Sequence, residues 1–182
     1  CFAVLAYASG GSLSSWRGRP WSDVVPVLDR VAQGLAALHA SGYAHRDLKT
    51  ANVLLDEQGQ AYLSDFGVAA RIGQPDSAPP GSPFSASPQQ LAGQPPCVAD
   101  DVYGFGALAY ELLSGYPPYY PDAAAAAAGA ELPATIPARV PVPAALTRLV
   151  LDCLAPSPDA RPGGIVELRE ALARTPRTDS DT

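Results

Sequence analysis

One block of eight residues constrains this chain more than any other: His45-Arg46-Asp47-Leu48-Lys49-Thr50-Ala51-Asn52, wedged between a long helix and a hairpin. Upstream, residues 22–41 place Val24, Leu28, Val31, Leu35 and Leu38 at alternating steps of four and three. That is the apolar stripe of a core-facing helix. Ser22 is the expected N-cap and Gly42 the expected C-terminal glycine. Pro26 is expected in the first turn, where its missing N–H costs little. Downstream, residues 53–56 and 61–65 form two short strands around Glu57-Gln58-Gly59-Gln60, a hairpin signal. Asp65-Phe66-Gly67 closes the hairpin.

The rest of the chain is mainly helix. Residues 2–6 (FAVLA) are an expected short buried strand. Residues 72–96 hold seven prolines and form a long loop. Residues 100–114 are apolar nearly all round, the signature of a central helix, and Gly115 ends it. Residues 123–128 are six alanines, helix-permissive but with little to pack. Two more helices are expected over 143–154 and 164–174. The order implies an α+β fold, mostly helical with short β-hairpins. One domain covers 1–174, and 175–182 is a polar tail.

Composition removes several classes. Apolar residues make up 47% of 182, enough for one packed core. Twelve Lys+Arg against eighteen Asp+Glu give a net charge of −6, with no basic block. Such a chain is a poor partner for nucleic acid or an anionic membrane. No apolar run reaches the ~20 residues that span a bilayer. Cys1, Cys97 and Cys153 are few, odd in number and scattered, which excludes a disulfide framework and a clustered zinc site and points to the reducing cytoplasm. The chain has no Met and opens in mid-strand style, so it is expected to be part of a longer protein.

Taken singly, Asp47 and Asn52 are turn residues, Asp65 ends a strand and Lys49 is a solvated lysine. Their joint spacing overturns those readings. The 45–55 block followed by Asp65-Phe66-Gly67 after one hairpin resembles the catalytic loop and metal-binding triplet of eukaryotic-type Ser/Thr protein kinases. The resemblance implies ATP and Mg2+ as cofactors and a protein substrate bearing Ser or Thr. It implies Asp47 as the group that orients the substrate hydroxyl and accepts its proton, and Lys49 as the cation at the γ-phosphate. Asn52 and Asp65 are implied metal ligands, His45 a structural histidine near Phe66, and Gly67 the end of the triplet.

Further stretches match in the same order. Val4 to Leu13 resembles the hinge between two lobes, with Leu5 as gatekeeper, the backbones of Ala6 and Ala8 at the adenine, Ser12 at the ribose, and Leu54 below the base. Gly81-Ser82-Pro83-Phe84-Ser85-Ala86-Ser87-Pro88-Gln89 resembles the end of the activation segment, the Ser82 hydroxyl being expected to bond Asp47 and Lys49. Asp101 is the implied anchor of the catalytic loop, and Arg161 a buried structural arginine. Arg46 is implied to pair with a phosphorylated residue, for which Ser77 and Ser85 are the candidates.

Two departures stand out. No glycine loop, strand lysine or helix glutamate precedes the hinge, so the chain resembles the large lobe, truncated before the hinge strand, and is expected to be inactive alone. Gln89 replaces a glutamate that pairs with the arginine matched by Arg161; it can still accept one hydrogen bond from Arg161 but leaves that charge without its counter-ion, and Gln89→Glu is then expected to stabilise. Two other readings remain open: a non-catalytic kinase-like scaffold, and a small-molecule phosphotransferase of the aminoglycoside-kinase type.

Overall fold

The computed structural model describes residues 8–75, 81–122, 124–127, 132 and 134–175. The expected strand at 2–6, and with it Leu5 and Ala6, lies outside them, as do Ser77 and the tail from residue 176.

Helix α1 spans Trp21–Ala40 and buries Val24, Val27, Leu28, Val31, Ala32 and Leu35, the expected stripe. It starts earlier than its hydroxyl signal. The Pro20 carbonyl accepts from Asp23 N and Val24 N, so Pro20 is the cap and Ser22 lies inside the helix. Burial of the Trp21 indole, 3% exposed, favours the start two residues earlier. Pro26 consequently sits in the second turn, where it cannot donate to the Ser22 carbonyl.

After α1 come β1 (Tyr43–Ala44), β2 (Val53–Leu55), β3 (Ala61–Leu63) and β4 (Ala70–Arg71). β2 and β3 form the expected hairpin, with Val53 opposite Leu63 and Leu55 opposite Ala61. Asp56 Oδ1 accepts from Gln58 N and Gln60 N and fixes its turn. β1 pairs with β4, Tyr43 opposite Arg71. That two-residue ladder has no periodicity to betray it in the sequence.

The proline-rich stretch contains a short helix α2 (Pro88–Leu91). Helix α3 (Val98–Ser114) is buried at every position from Asp100 to Ser114 and ends on Gly115 in the left-handed region. It packs against α1, α5 (Ala144–Cys153) and α6 (Ile165–Ala173); α4 (Ala124–Ala127) covers part of the alanine run. Gly106 lets α3 and α5 touch: a Cβ there would lie 2.7 Å from the Cys153 Cβ. The central helix is therefore the frame on which the polar loop hangs, and the fold is α+β as expected.

Candidate active site

The polar block leaves β1 and crosses the N-terminal turn of α3. Its first two amides, of His45 and Arg46, donate to Asp101 Oδ2 and Oδ1, each at 2.8 Å. His39 Nε2 lies 2.7 Å from the same carboxylate, which is 1% exposed. This two-pronged clamp holds Arg46 at φ 67°, a left-handed conformation costing a non-glycine residue about 1–2 kcal/mol.

The clamp delivers Asp47 to the head of the loop. Lys49 Nζ donates to its Oδ2 at 2.7 Å, Asn52 Nδ2 to the same oxygen at 2.9 Å, and the Ser82 amide to Oδ1 at 2.9 Å. Burial pushes the Asp47 carboxyl up, but the Lys49 and Ser82 hydrogen bonds, the Lys49 charge and Asn52 together hold it below its ordinary value of 3.8. The group is therefore an oriented carboxylate at neutral pH. The donor from residue 82 is the backbone N–H, not the expected hydroxyl. Gly81 explains how that amide comes so close: a Cβ there would stand 2.5 Å from the Arg46 carbonyl oxygen and 2.8 Å from Asp47 Oδ1.

Asn52 ties the loop to the hairpin. Its Nδ2 also donates to the Asp47 carbonyl at 2.8 Å, so the amide oxygen is the end left for a ligand. Ser64 N and Oγ donate to the Asn52 carbonyl at 2.9 and 3.0 Å. The next residue, Asp65, therefore leaves the hairpin beside Asn52. It stands at φ 60°, exposed, and among the described residues its carboxylate has only a long 3.4 Å contact, from the Gly67 amide to Oδ1. His45 is fully buried with its Nε2 3.0 Å from the Ser64 carbonyl oxygen. Its ring lies 5.2 Å from that of Phe66, which is 51% exposed. Asp47, Lys49, Asn52, Asp65, His45 and Phe66 thus gather in one region.

The hinge-like stretch is partly described. Gly10 N donates to the Leu55 carbonyl and Leu55 N to the Gly11 carbonyl, both at 2.8 Å, and Ser12 bridges Leu54. Ala8 and Leu54 are half-buried there. The Ser12 hydroxyl accepts from Ser14 N at 3.4 Å and caps the turn Leu13–Trp16.

Two further positions singled out in the sequence are described. Gln89 still accepts from Arg161, and backbone carbonyls take its remaining donors. Nε donates to Ala155 O at 2.8 Å, Nη1 to Ala99 O at 2.9 Å, and Nη2 to Gln89 Oε1 at 2.7 Å and Pro156 O at 2.9 Å. The guanidinium also lies 5.0 Å over the Tyr103 ring. Burial pulls its pKa down, and the Asp100 carboxylate works against that. Gln89 further donates its Nε2 to Pro156 O at 2.7 Å, a bond that glutamate would lose. Gln89→Glu is therefore expected to change stability by less than about 1 kcal/mol. A shift of the unfolding midpoint beyond about 4 °C either way would contradict this. Ser85, a candidate phosphate acceptor, is 8% exposed, and its hydroxyl points back to the Ser82 carbonyl.

Two supporting residues escaped the sequence reading. Gln90, 3% exposed, donates its Nε2 to the Arg46 carbonyl at 2.7 Å. Ser87 donates its hydroxyl to Asp100 Oδ1 while accepting from Gln90 N at 3.1 Å. The only available signal was a serine opening a Pro-Gln-Gln helix turn.

The family model for the protein kinase domain matches residues 2–174. The chain belongs to the protein kinase domain family. Among curated relatives, it is 38% identical over 149 residues to "Serine/threonine-protein kinase PkaB" of Streptomyces coelicolor, covering 75% of this chain and 36% of that protein. It is 39% identical over 152 residues to "Serine/threonine-protein kinase PkaA" of the same organism, covering 80% of this chain and 27% of that protein. It is 31% identical over 188 residues to "MAP3K epsilon protein kinase 1" of Brassica napus, covering 98% of this chain and 13% of that protein. The chain thus spans about a third or less of the length of these relatives. Protein kinases use ATP, with magnesium as the usual metal, and act on protein substrates.

Proposed function

We propose that the protein is a Ser/Thr protein kinase, transferring the γ-phosphoryl group of ATP to a serine or threonine hydroxyl of a protein substrate. The observation that carries this reading is the Asp47 carboxylate, ionised and fixed by Lys49, Asn52 and the Ser82 amide. The neighbouring donor set fits magnesium, which prefers hard oxygen ligands: the Asn52 amide oxygen and the Asp65 carboxylate would hold it. The chemistry magnesium would supply there is neutralisation of the charge that develops on the transferred phosphoryl group.

Asp47 orients the substrate hydroxyl and takes its proton as the hydroxyl oxygen bonds to the γ-phosphorus. The bond from that phosphorus to the β–γ bridging oxygen breaks, and ADP leaves with its electron pair. Lys49 sets its charge beside the γ-phosphoryl oxygens. Leu5, the backbones of Ala6 and Ala8, and Leu54 take the adenine, and Ser12 takes the ribose. His45 and Phe66 position the Asp65 turn. The 81–89 segment, fastened to Arg161 through Gln89 and followed by Gln90 on the Arg46 carbonyl, supports a protein rather than a small-molecule substrate.

We place the protein in the cytoplasm. Burial pushes the Cys97 and Cys153 thiols up, which keeps them protonated and inert. Among the described residues no helix is long and apolar enough to cross a membrane. A net charge of −6 makes the chain a poor partner for nucleic acid.

The test is magnesium dependence. Asp65→Asn in the full-length protein is expected to raise the magnesium concentration for half-maximal phosphorylation at least about tenfold, because even residues that only support metal ligands cost that much. An unchanged magnesium dependence would remove Asp65 from the metal site.

A further inference from the structure

A cavity of about 400 Å³ is lined by Lys49 and Ser82, both hydrogen-bonded to Asp47, and by Phe84, Tyr116 and Tyr120. The rings form a continuous wall. Tyr116 stacks on Tyr120 at 5.9 Å with 17° between planes, and Phe84 lies 6.1 Å from Tyr120. Tyr116 and Tyr120 are each 59% exposed, which core packing does not require of either. Contiguous exposed aromatic surface next to a reactive group is a binding feature rather than scattered surface.

The charges of this cavity are already matched. Glu111, buried in α3, is the carboxylate of its lining. Arg17 Nε donates to Glu111 Oε1 at 2.6 Å and Arg17 Nη2 to Thr50 Oγ1 at 3.1 Å. The Arg17 side chain is 47% exposed, so it sits over the carboxylate from the solvent side. Lys49 is paired with Asp47. An incoming side chain therefore meets a neutral, aromatic wall continuous with the groups that hold the acceptor hydroxyl. A cationic side chain would have to displace Arg17 to reach Glu111.

We propose that this cavity selects protein substrates whose phosphoacceptor is flanked by a large apolar side chain, seated against Phe84, Tyr116 and Tyr120, and that Arg17 suppresses selection of a basic residue there by holding Glu111. The proposal rests on the kinase reading above.

The experiment compares peptides differing only at one position flanking the serine, carrying Phe, Leu, Ala or Arg at each flanking position in turn. The full-length protein is used, and the ratio of kcat/KM between peptides is taken within each preparation. A loss of fold or of catalysis cancels in that ratio. At one position, Phe or Leu is expected to be favoured over Ala and Arg by about tenfold, the scale of discrimination in an apolar pocket. Tyr120→Ala is expected to bring the ratio over Ala to within about twofold, and Tyr120→Phe, which keeps the ring, to preserve it. Arg17→Ala is expected to raise the relative use of the Arg peptide about tenfold, because Glu111 then lacks its partner. A wild-type preference for Arg, or an apolar preference that survives Tyr120→Ala, would overturn the proposal while leaving the kinase reading intact. Failure of the wild-type protein to phosphorylate any peptide or protein would overturn both.

Discussion

Replacing Asp47 by asparagine is expected to lower kcat by about 10²–10⁴-fold, the usual contribution of a positioned proton acceptor. The substitution is nearly isosteric, so the fold should persist. What changes is chemistry. Three donors converge on the carboxylate, from Lys49 Nζ, Asn52 Nδ2 and the Ser82 amide. An asparagine has one acceptor oxygen for them, and its own NH2 group meets one of them donor to donor. KM for ATP should move little, since the nucleotide contacts are assigned elsewhere. The pH profile gives a second readout. Because the Asp47 carboxyl is held below 3.8, its acid limb lies below that pH, and activity is unaffected by this group as pH falls from 8 to 5. Full activity in the asparagine variant would show that Asp47 serves only to hold the loop.

Loss of Asp101 is expected to be the most destabilising change at the site. Asp101→Ala leaves the His45 and Arg46 amides without their acceptor in the protein interior, and takes the partner from His39 Nε2. Each orphaned buried donor costs about 1–3 kcal/mol, so a total of about 3–5 kcal/mol is expected. For a chain of this size that is a drop of about 10 °C in Tm. The strained backbone at Arg46, φ 67°, would relax once unclamped, so kcat should fall with stability. Hydrogen exchange at His45 and Arg46 reads the local effect directly. Asp101→Asn keeps one acceptor and should lie between. An alanine variant with unchanged Tm and unchanged exchange at these two amides would mean that something else holds the loop.

The long elements were legible because their signals are redundant. α1 and α3 each repeat an apolar pattern over several turns, and one mismatched residue does not hide it. The loop was legible for a different reason: its residue types at fixed spacing resemble a known family. Short-range decisions were less readable. Ser22 is a better capping residue than Pro20, yet burying Trp21 moved the start of α1, a tertiary gain that outweighs a local hydrogen bond. The β1–β4 ladder is two residues long on each side and exists because its ends are brought together by the loop and the hairpin. Ser82 shows the limit of reading by residue type. Its hydroxyl suggested a side-chain bond to Asp47, but the contact is made by its backbone, through a gap that only Gly81 leaves open. The partners of Arg161 are mostly carbonyls, which carry no sequence label at all.

The central claim is that Asn52 and Asp65 meet one magnesium–nucleotide complex in front of Asp47. A crystal structure of the full-length protein with magnesium and a non-hydrolysable ATP analogue tests it most directly. The account predicts the Asn52 amide oxygen and an Asp65 carboxylate oxygen as metal ligands at about 2.1 Å, with Asp47 facing the γ-phosphate. Nucleotide bound on another face, or metal held without either residue, would contradict it.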